Sequence, residues 1–261
     1  MGLFGQHGGL VGLDIGSSSI KLVRLKQSAG SWALQAFSLG HLPPDAIIDG
    51  RIMNFSVVIE RLRELMREAG IKGGSCAIAI SGASLIVKRL SLPEMTREEL
   101  AESITWEAEQ YIPFDIKDVN VDAQIINSRA GQGQMDVMMV AAKKDVVNEY
   151  VSVATEAGLV TEVVDVAIFA ALNMFETNYT VPADQTIALL NIGANTINVG
   201  VLSGASIAFT RDISIGGSRL TTEIQRQFNV SWEEAEAFKT GAESSLSSST
   251  IARDVNKLAD K

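Results

Sequence analysis

The sequence predicts an α/β protein built from two related halves, with a smaller α/β unit set into the first. Three features carry this expectation. A hairpin motif occurs twice, far apart in the chain: Asp14-Ile15-Gly16-Ser17-Ser18-Ser19-Ile20 aligns with Asn191-Ile192-Gly193-Ala194-Asn195-Thr196-Ile197. Each copy follows an apolar strand and precedes another, as two domain cores of common design would place them. Between the copies, short apolar strands alternate with segments of helical period. The length of 261 residues, with 46% hydrophobic and 20% charged residues, allows one large or two medium cores.

Residues 10–26 read as a strand, a Gly-Ser turn and a second strand, and residues 31–39 as a third. Phe55, Val58, Ile59, Leu62, Leu65 and Met66 then recur at helical spacing, and Gly70 closes that helix. Residues 75–81 are a short apolar run, expected to be a strand buried on both faces. Cys76 lies in it as the chain's one cysteine, which can build neither a disulfide framework nor a Cys-rich metal site and is expected in the core.

From about residue 86 the character changes. A short strand at 87–90 is followed by Thr96 and Glu99, a capping box that opens a helix to about Tyr111. Strands at 119–126 and 136–142 flank Gly131-Gln132-Gly133, and a helix with Val146, Val147, Tyr150, Val151 and Ala154 ends at Gly158. The block is expected to form a small β-α-β-β-α subdomain.

Residues 161–166 read as a strand running into a helix from Ala167 to about Phe175, and 180–185 as a linker. A hairpin at 186–202 and a strand at 206–213 follow. Gly216-Gly217 introduces a helix with Leu220, Ile224 and Phe228 on one face, and Ser231 and Glu234 make a second capping box. After a Ser-rich stretch at 244–250, Ile251, Val255 and Leu258 fall in helical register.

Charge and hydropathy exclude some classes. The formal net charge is -9 with no basic stripe, so no nucleic-acid partner is expected. No apolar stretch approaches the ~20 residues that span a bilayer, so direct membrane insertion is not expected. The N-terminus lacks the charged head and apolar segment of a secretory signal. Gln6 stands where myristoylation needs Ser or Thr, so contact with a membrane would come through another protein.

The repeated turns have the chemistry of a phosphate site. Gly16 and Gly193 let backbone approach a ligand closely. Successive N–H groups through Ser17, Ser18 and Ser19, and through Ala194, Asn195 and Thr196, form anion-binding nests to which the hydroxyls add donors. Asp14 at a strand end suits a Mg²⁺ held through its waters, and Lys21 on the outgoing strand neutralises phosphate charge. Two ordinary hairpins with small turn residues are the competing reading of either copy alone; two aligned copies weigh against it. Gly216-Gly217 places a helix start where it can face a nucleotide, or marks only a tight turn. Glu236 and Lys239 share one helix face, to contact ribose and purine or to pair on a solvated surface. Asp165 is a weak catalytic candidate, equally well read as a helix cap. His7 and His41 sit in loop-like segments and are read as structural or incidental.

These residues resemble the actin/Hsp70/sugar-kinase superfamily. Residues 10–23 resemble its first phosphate motif, 188–202 its second, and 162–175 its connecting helix; Gly216-Gly217 and Glu236/Lys239 resemble its adenosine-side contacts. Within it, the chain is similar to the PilM family of type IV pilus assembly proteins, through residues 10–23, the run from Trp106 to Phe114 and the run from Arg211 to Gly217. The resemblance implies an actin/Hsp70-type ATPase fold with ribonuclease H-like halves and an inserted FtsA-like subdomain. Residues 1–85 and 158–185 would be the first actin-like subdomain (1A), 86–157 the insert (1C), and 186–261 the start of the second actin-like domain (2A/2B). It implies ATP and Mg²⁺ as ligands, and a cytoplasmic place at the inner membrane. It further implies binding of the N-terminal tail of a PilN-type membrane protein beside the insert, among other pilus platform proteins. Self-association is compatible with it.

Two departures qualify the implication. Asn191 replaces the usual Asp of the second motif, so any ATPase activity is expected to be weak. The superfamily's late Gly-Gly adenosine motif is not found, so the C-terminal part is expected to be missing. Two other readings of the same fold stay open. A sugar or acyl kinase requires a carboxylate base, and none stands out. An FtsA-like cell-division filament protein is expected to carry an amphipathic C-terminal helix, and none is seen. A radical-enzyme activator would need several cysteines.

Overall fold

The computed structural model describes residues 9–28, 30–204 and 206–241. The Ser-rich stretch at 244–250, the helical register of Ile251, Val255 and Leu258, and His7 lie outside these residues.

Alternation of apolar and polar residues sets the first strands. β1 (Val11–Ile15) buries Val11, Leu13 and Ile15 on one face and leaves Gly12 and Asp14 on the other. β2 (Ser19–Ser28) returns antiparallel, with Asp14 opposite Lys21, and β3 (Ser31–His41) pairs along β2. His41, expected in a loop, is thus the last residue of a strand. Two short strands, β4 (Ile47–Ile48) and β5 (Arg51–Ile52), are joined by Asp49-Gly50 with φ of 50° and 76°, the conformation a two-residue hairpin needs. Helix α1 (Phe55–Glu68) is capped by the Asn54 side chain, which accepts the Val57 N–H, and buries Val58, Ile59, Leu62, Leu65 and Met66. Gly70 follows it at φ 67°.

β6 (Gly74–Ile80) runs parallel to β1, and β10 (Leu159–Val166) parallel to β6, completing a five-stranded mixed sheet in the order β10-β6-β1-β2-β3. β6 is fully buried on one face only: Cys76, Ile78 and Ile80 are covered by helices, while Ser75, Ala77 and Ala79 are half-buried. Two-sided burial was the expectation, and the small residues of the second face are what the structure leaves partly open. Cys76 is a core residue, and burial pushes its thiol pKa up.

The inserted unit begins with β7 (Leu85–Pro93), longer than the strand expected at 87–90. Helix α2 (Arg97–Glu109) starts from the capping box of Thr96 and Glu99. β8 (Val119–Gly131) and β9 (Gln134–Lys143) turn through Gly131-Gln132-Gly133, all three at positive φ, and the three strands pair antiparallel as β7-β9-β8. Leu92, Leu100, Ile104, Val119, Met135 and Met139 form its core beneath α2. The next helix, α3 (Lys144–Glu156), does not join this core. Its Val146, Tyr150, Val153 and Ala154 pack with Leu62, Leu65 and Ile78 on the main sheet. The chain passes from β9 into this packing at Lys143, whose N–H donates to the Ser84 carbonyl at 3.1 Å.

Helix α4 (Ala167–Asn178) follows β10 directly and carries the chain to the second half. There β11 (Thr186–Ile192), β12 (Ile197–Ser203) and β13 (Ser206–Ile213) form an antiparallel sheet. Ile168 and Leu172 of α4 lie on β12 at Gly200, where a Cβ would come within 2.8 Å of the Ile168 side chain. Helices α5 (Gly217–Phe228) and α6 (Trp232–Thr240) pack through Leu220, Ile224, Phe228 and Ala235, and α6 starts from the capping box of Ser231 and Glu234.

Candidate functional site: two matched turns on one cleft

The two repeated turns are closed by the same hydrogen bond. The Gly16 N–H donates to the Ser19 carbonyl at 3.0 Å, and the Gly193 N–H to the Thr196 carbonyl at 3.0 Å. Registers match as well, with Ile15 opposite Ile20 and Ile192 opposite Ile197. Glycine suits both turns: a Cβ would lie 2.9 Å from the Thr196 oxygen in the second, closer than a side chain can stand, and 3.2 Å from the Ser19 oxygen in the first, a tight contact.

Both turns line one cleft of about 1140 Å³. From the first turn it takes Asp14, Gly16, Ser17, Ser18, Ser19 and Lys21, and from the second Asn191, Gly193, Ala194, Asn195 and Thr196. Gly217, Glu236 and Lys239 of the expected set also line it. The N–H groups of Ser17 and Ser18, and of Ala194 and Asn195, donate to no atom of the described residues. Such turns supply ready donors for an anion. Lys21 Nζ pairs with Asp14 at 2.9 Å at the mouth of the first turn.

Two expected members stand elsewhere. Gly216 backs onto the second turn, where a Cβ would overlap the carbonyl of Ala194, and does not line the cleft. The start of α5 is correspondingly occupied: Gly217 and Ser218 donate their N–H groups to the carbonyls of Gly193 and Ala194 at 3.0 and 2.8 Å. This helix start therefore holds the second turn in place, using donors that would otherwise be open to a phosphate. Asp165 also lies off the cleft. Its Oδ1 accepts the Val166 N–H at 2.7 Å, and burial pushes its pKa up. It is not the cap of α4, whose N-cap is Val166.

Glu236 and Lys239 tie α6 to α5. Thr221 donates its hydroxyl to Glu236 Oε2 at 2.6 Å; Lys239 Nζ donates to the same oxygen at 2.6 Å, to Thr221 Oγ1 at 2.9 Å and to the Gly217 carbonyl at 3.4 Å. Burial raises the Glu236 pKa, but the hydrogen bonds from Lys239 and Thr221 outweigh it and the net shift is downward. Both bonds fall on Oε2, and Oε1 has no hydrogen bond among the described residues.

Several cleft residues were not singled out from sequence. His41, read as incidental, lines the cleft, as do Trp232 and Tyr150. Tyr150 donates to the Gly50 carbonyl at 3.1 Å, and burial, with Glu149 and Asp14 nearby, pushes its pKa up to about 12. A polar chain runs behind the second turn. Asn191 Nδ2 donates to Asn198 Oδ1 at 3.0 Å, and Asn198 Nδ2 to Asp212 Oδ1 at 2.8 Å. Asp212 Oδ2 accepts the N–H of Gly82, from the loop between β6 and β7, at 2.6 Å. The sequence signal was one polar residue, Asn198, at an inward position of an apolar strand.

The donor set bears on a metal ion. Among the described residues no group of three or more His, Cys, Asp or Glu side chains is placed to hold one. Asp14 and Asn191 line the cleft singly. This fits a Mg²⁺ that keeps its waters and takes phosphate oxygens, and does not fit an all-protein cage.

Comparison with known proteins agrees with the architecture. The family model of type IV pilus assembly protein PilM matches residues 12–250. A solved PilM-PilN type IV pilus biogenesis complex is 29% identical, with a TM-score of 0.83 over 96% of this chain and 73% of that one. The ethanolamine utilization protein EutJ from Carboxydothermus hydrogenoformans, 17% identical with a TM-score of 0.53, covers 95% of this chain and 65% of its own, and shares the fold. Cell division protein FtsA of Bacillus subtilis (strain 168) is 24% identical over 88% of this chain, which spans only 57% of that relative's length. The fold is the actin-like ATPase fold, and the chain belongs to the type IV pilus assembly protein PilM family.

Proposed function

We propose that this chain is an ATP-binding scaffold of the pilus assembly platform, which grips the N-terminal tail of a PilN-type inner-membrane protein in a nucleotide-responsive way. The observation that carries the nucleotide reading is the pair of matched turns on one cleft, each with N–H groups that have no partner among the described residues. In this reading those N–H groups bind the phosphates and Lys21 offsets their charge. Asp14 and Asn191 hold the waters of Mg²⁺, which when bound neutralises the polyphosphate. Glu236 Oε1 accepts from a ribose hydroxyl, and Trp232 walls the base side. Lys239, with three acceptors already, keeps α5 and α6 together rather than contacting the base. No base for hydrolysis is assigned.

The partner reading is supported by the likeness to a PilM-PilN complex. Among the described residues no helix is long and apolar enough to cross a membrane. The insert, residues 85–143 by packing, serves as the FtsA-like 1C unit beside which the tail docks. Residues 9–84 with α3, β10 and α4 serve as 1A, and the rest as the second actin-like domain.

Titration calorimetry tests this with ATP, Mg²⁺ and a PilN-type N-terminal peptide. Mg-ATP is expected to bind, and to change peptide affinity by a measurable factor. Asp14→Ala is expected to weaken Mg-ATP on the order of tenfold or more, through loss of a charged hydrogen-bonding group. Unaltered ATP affinity in that variant would remove the phosphate assignment. Absence of peptide binding in either nucleotide state would remove the partner.

A further inference from the structure

The second turn carries Asn191 where the first carries Asp14, and the polar chain behind it decides what Asn191 can offer. A carboxylate at neutral pH only accepts hydrogen bonds, whereas an amide side chain has one accepting and one donating end. Asp212 Oδ1 therefore compels Asn198 to turn its Nδ2 toward it. Asn198 is 3% exposed, so its other end has no water to trade with and must meet Asn191 as an acceptor. Asn191 in turn must give its Nδ2 to that oxygen. Its Oδ1 is left without a hydrogen bond among the described residues, on a side chain that lines the cleft.

We infer that Asp212 is a positioning residue for the phosphate side of the cleft: acting through Asn198, it fixes Asn191 with its carbonyl oxygen, and not its NH₂, available to the ligand. The inference rests on the nucleotide reading given above. An oxygen accepts a proton of a Mg²⁺-bound water, as an aspartate would, while an NH₂ in the same place would oppose it. The charge that the second turn lacks is thus kept one relay further back, where it sets polarity. The same carboxylate also fixes the relay to the first half of the molecule, because Asp212 Oδ2 takes the Gly82 N–H. With both oxygens engaged, Asp212 has one orientation, and the two amides inherit it.

Asp212→Asn inverts the chain without breaking it. The new amide keeps an oxygen for the Gly82 N–H and turns its NH₂ toward Asn198; both asparagines then flip, and Asn191 presents NH₂ to the cleft. Every hydrogen bond persists, so the fold is retained. The first readout needs no nucleotide: exchange of the Asn191 side-chain amide protons, followed by NMR, is expected to be slow in the parent and fast in the variant. The second is the gain in ATP affinity on adding Mg²⁺, expected to fall on the order of tenfold, the size of one hydrogen bond to a charged group. Adding Asn191→Asp to Asp212→Asn satisfies the inverted chain with an oxygen at the cleft, and is expected to restore the Mg²⁺ dependence. Unchanged Asn191 exchange in Asp212→Asn overturns the relay. Faster exchange with an intact Mg²⁺ gain overturns its role at the site. A parent that binds no Mg-ATP overturns the nucleotide reading instead, and the exchange rates still decide the relay.

Discussion

Tyr150 shows how one side chain links the cleft wall to stability. Its hydroxyl holds the Gly50 carbonyl, and burial first, then Glu149 and Asp14, push its pKa up from 10.0 to about 12. A raised folded-state pKa means stability that is fully present below the unfolded value and is lost as pH rises through the folded one. The molecule is therefore expected to lose on the order of 2–3 kcal/mol between about pH 10 and 12 through this one phenol. Chemical denaturation across that range checks it, and Tyr150→Phe should flatten the alkaline slope. At this scale the sequence was legible where chemistry is local. The two turns can be matched from sequence because each sets Gly and small polar residues directly after an apolar strand. Asn198 and Asp212 are not legible in this way, because their role exists only through neighbours 7 to 14 residues apart that meet across strands. Gly216 is ambiguous in sequence for the converse reason: a Gly-Gly pair before a helix looks the same whether it admits a phosphate or, as here, stands against the carbonyls of another turn.

Among the elements, α4 is the one on which the two halves depend. It leaves the main sheet at Val166 and lies on β12, where Gly200 lets Ile168 and Leu172 come down onto the strand. Gly200→Val is expected to force the helix off the sheet and cost about 1–3 kcal/mol, the range for overpacking a tight core. A lower denaturant midpoint with an unchanged slope would register it. The sequence places this helix after the strand at 161–166, and periodicity places α1, whose apolar positions recur at helical spacing between an Asn cap and a closing Gly. It could not assign α3. Val146, Tyr150, Val153 and Ala154 make an apolar stripe that says a core exists and not whose core it is, and they pack beneath β6 rather than on the neighbouring insert. The capping boxes at Thr96 and Ser231 were legible because both partners lie within one turn of helix.

At the scale of the whole molecule, the insert enters and leaves at a single point, since the Lys143 N–H bonds the Ser84 carbonyl. Segments attached in this way are tolerant of removal. Replacing residues 85–142 by a short Gly-Ser link is expected to leave cooperative unfolding and Mg-ATP binding in place while abolishing binding of the PilN-type peptide, as calorimetry on the shortened chain would show. Loss of ATP binding together with the peptide would mean that the insert builds the cleft and does not merely stand beside it. The same topology bears on biosynthesis. β6 waits for β10, which leaves the ribosome only after the whole insert and α3 have been made. Within the insert, β8 and β9 form a local hairpin, while β7 must wait for β9. Local contacts form sooner than distant ones, and chains emerge from one end. The β1-β2-β3 meander and the β8–β9 hairpin are therefore ready early, and the seam of β6 with β10 is the last part of the main sheet to close.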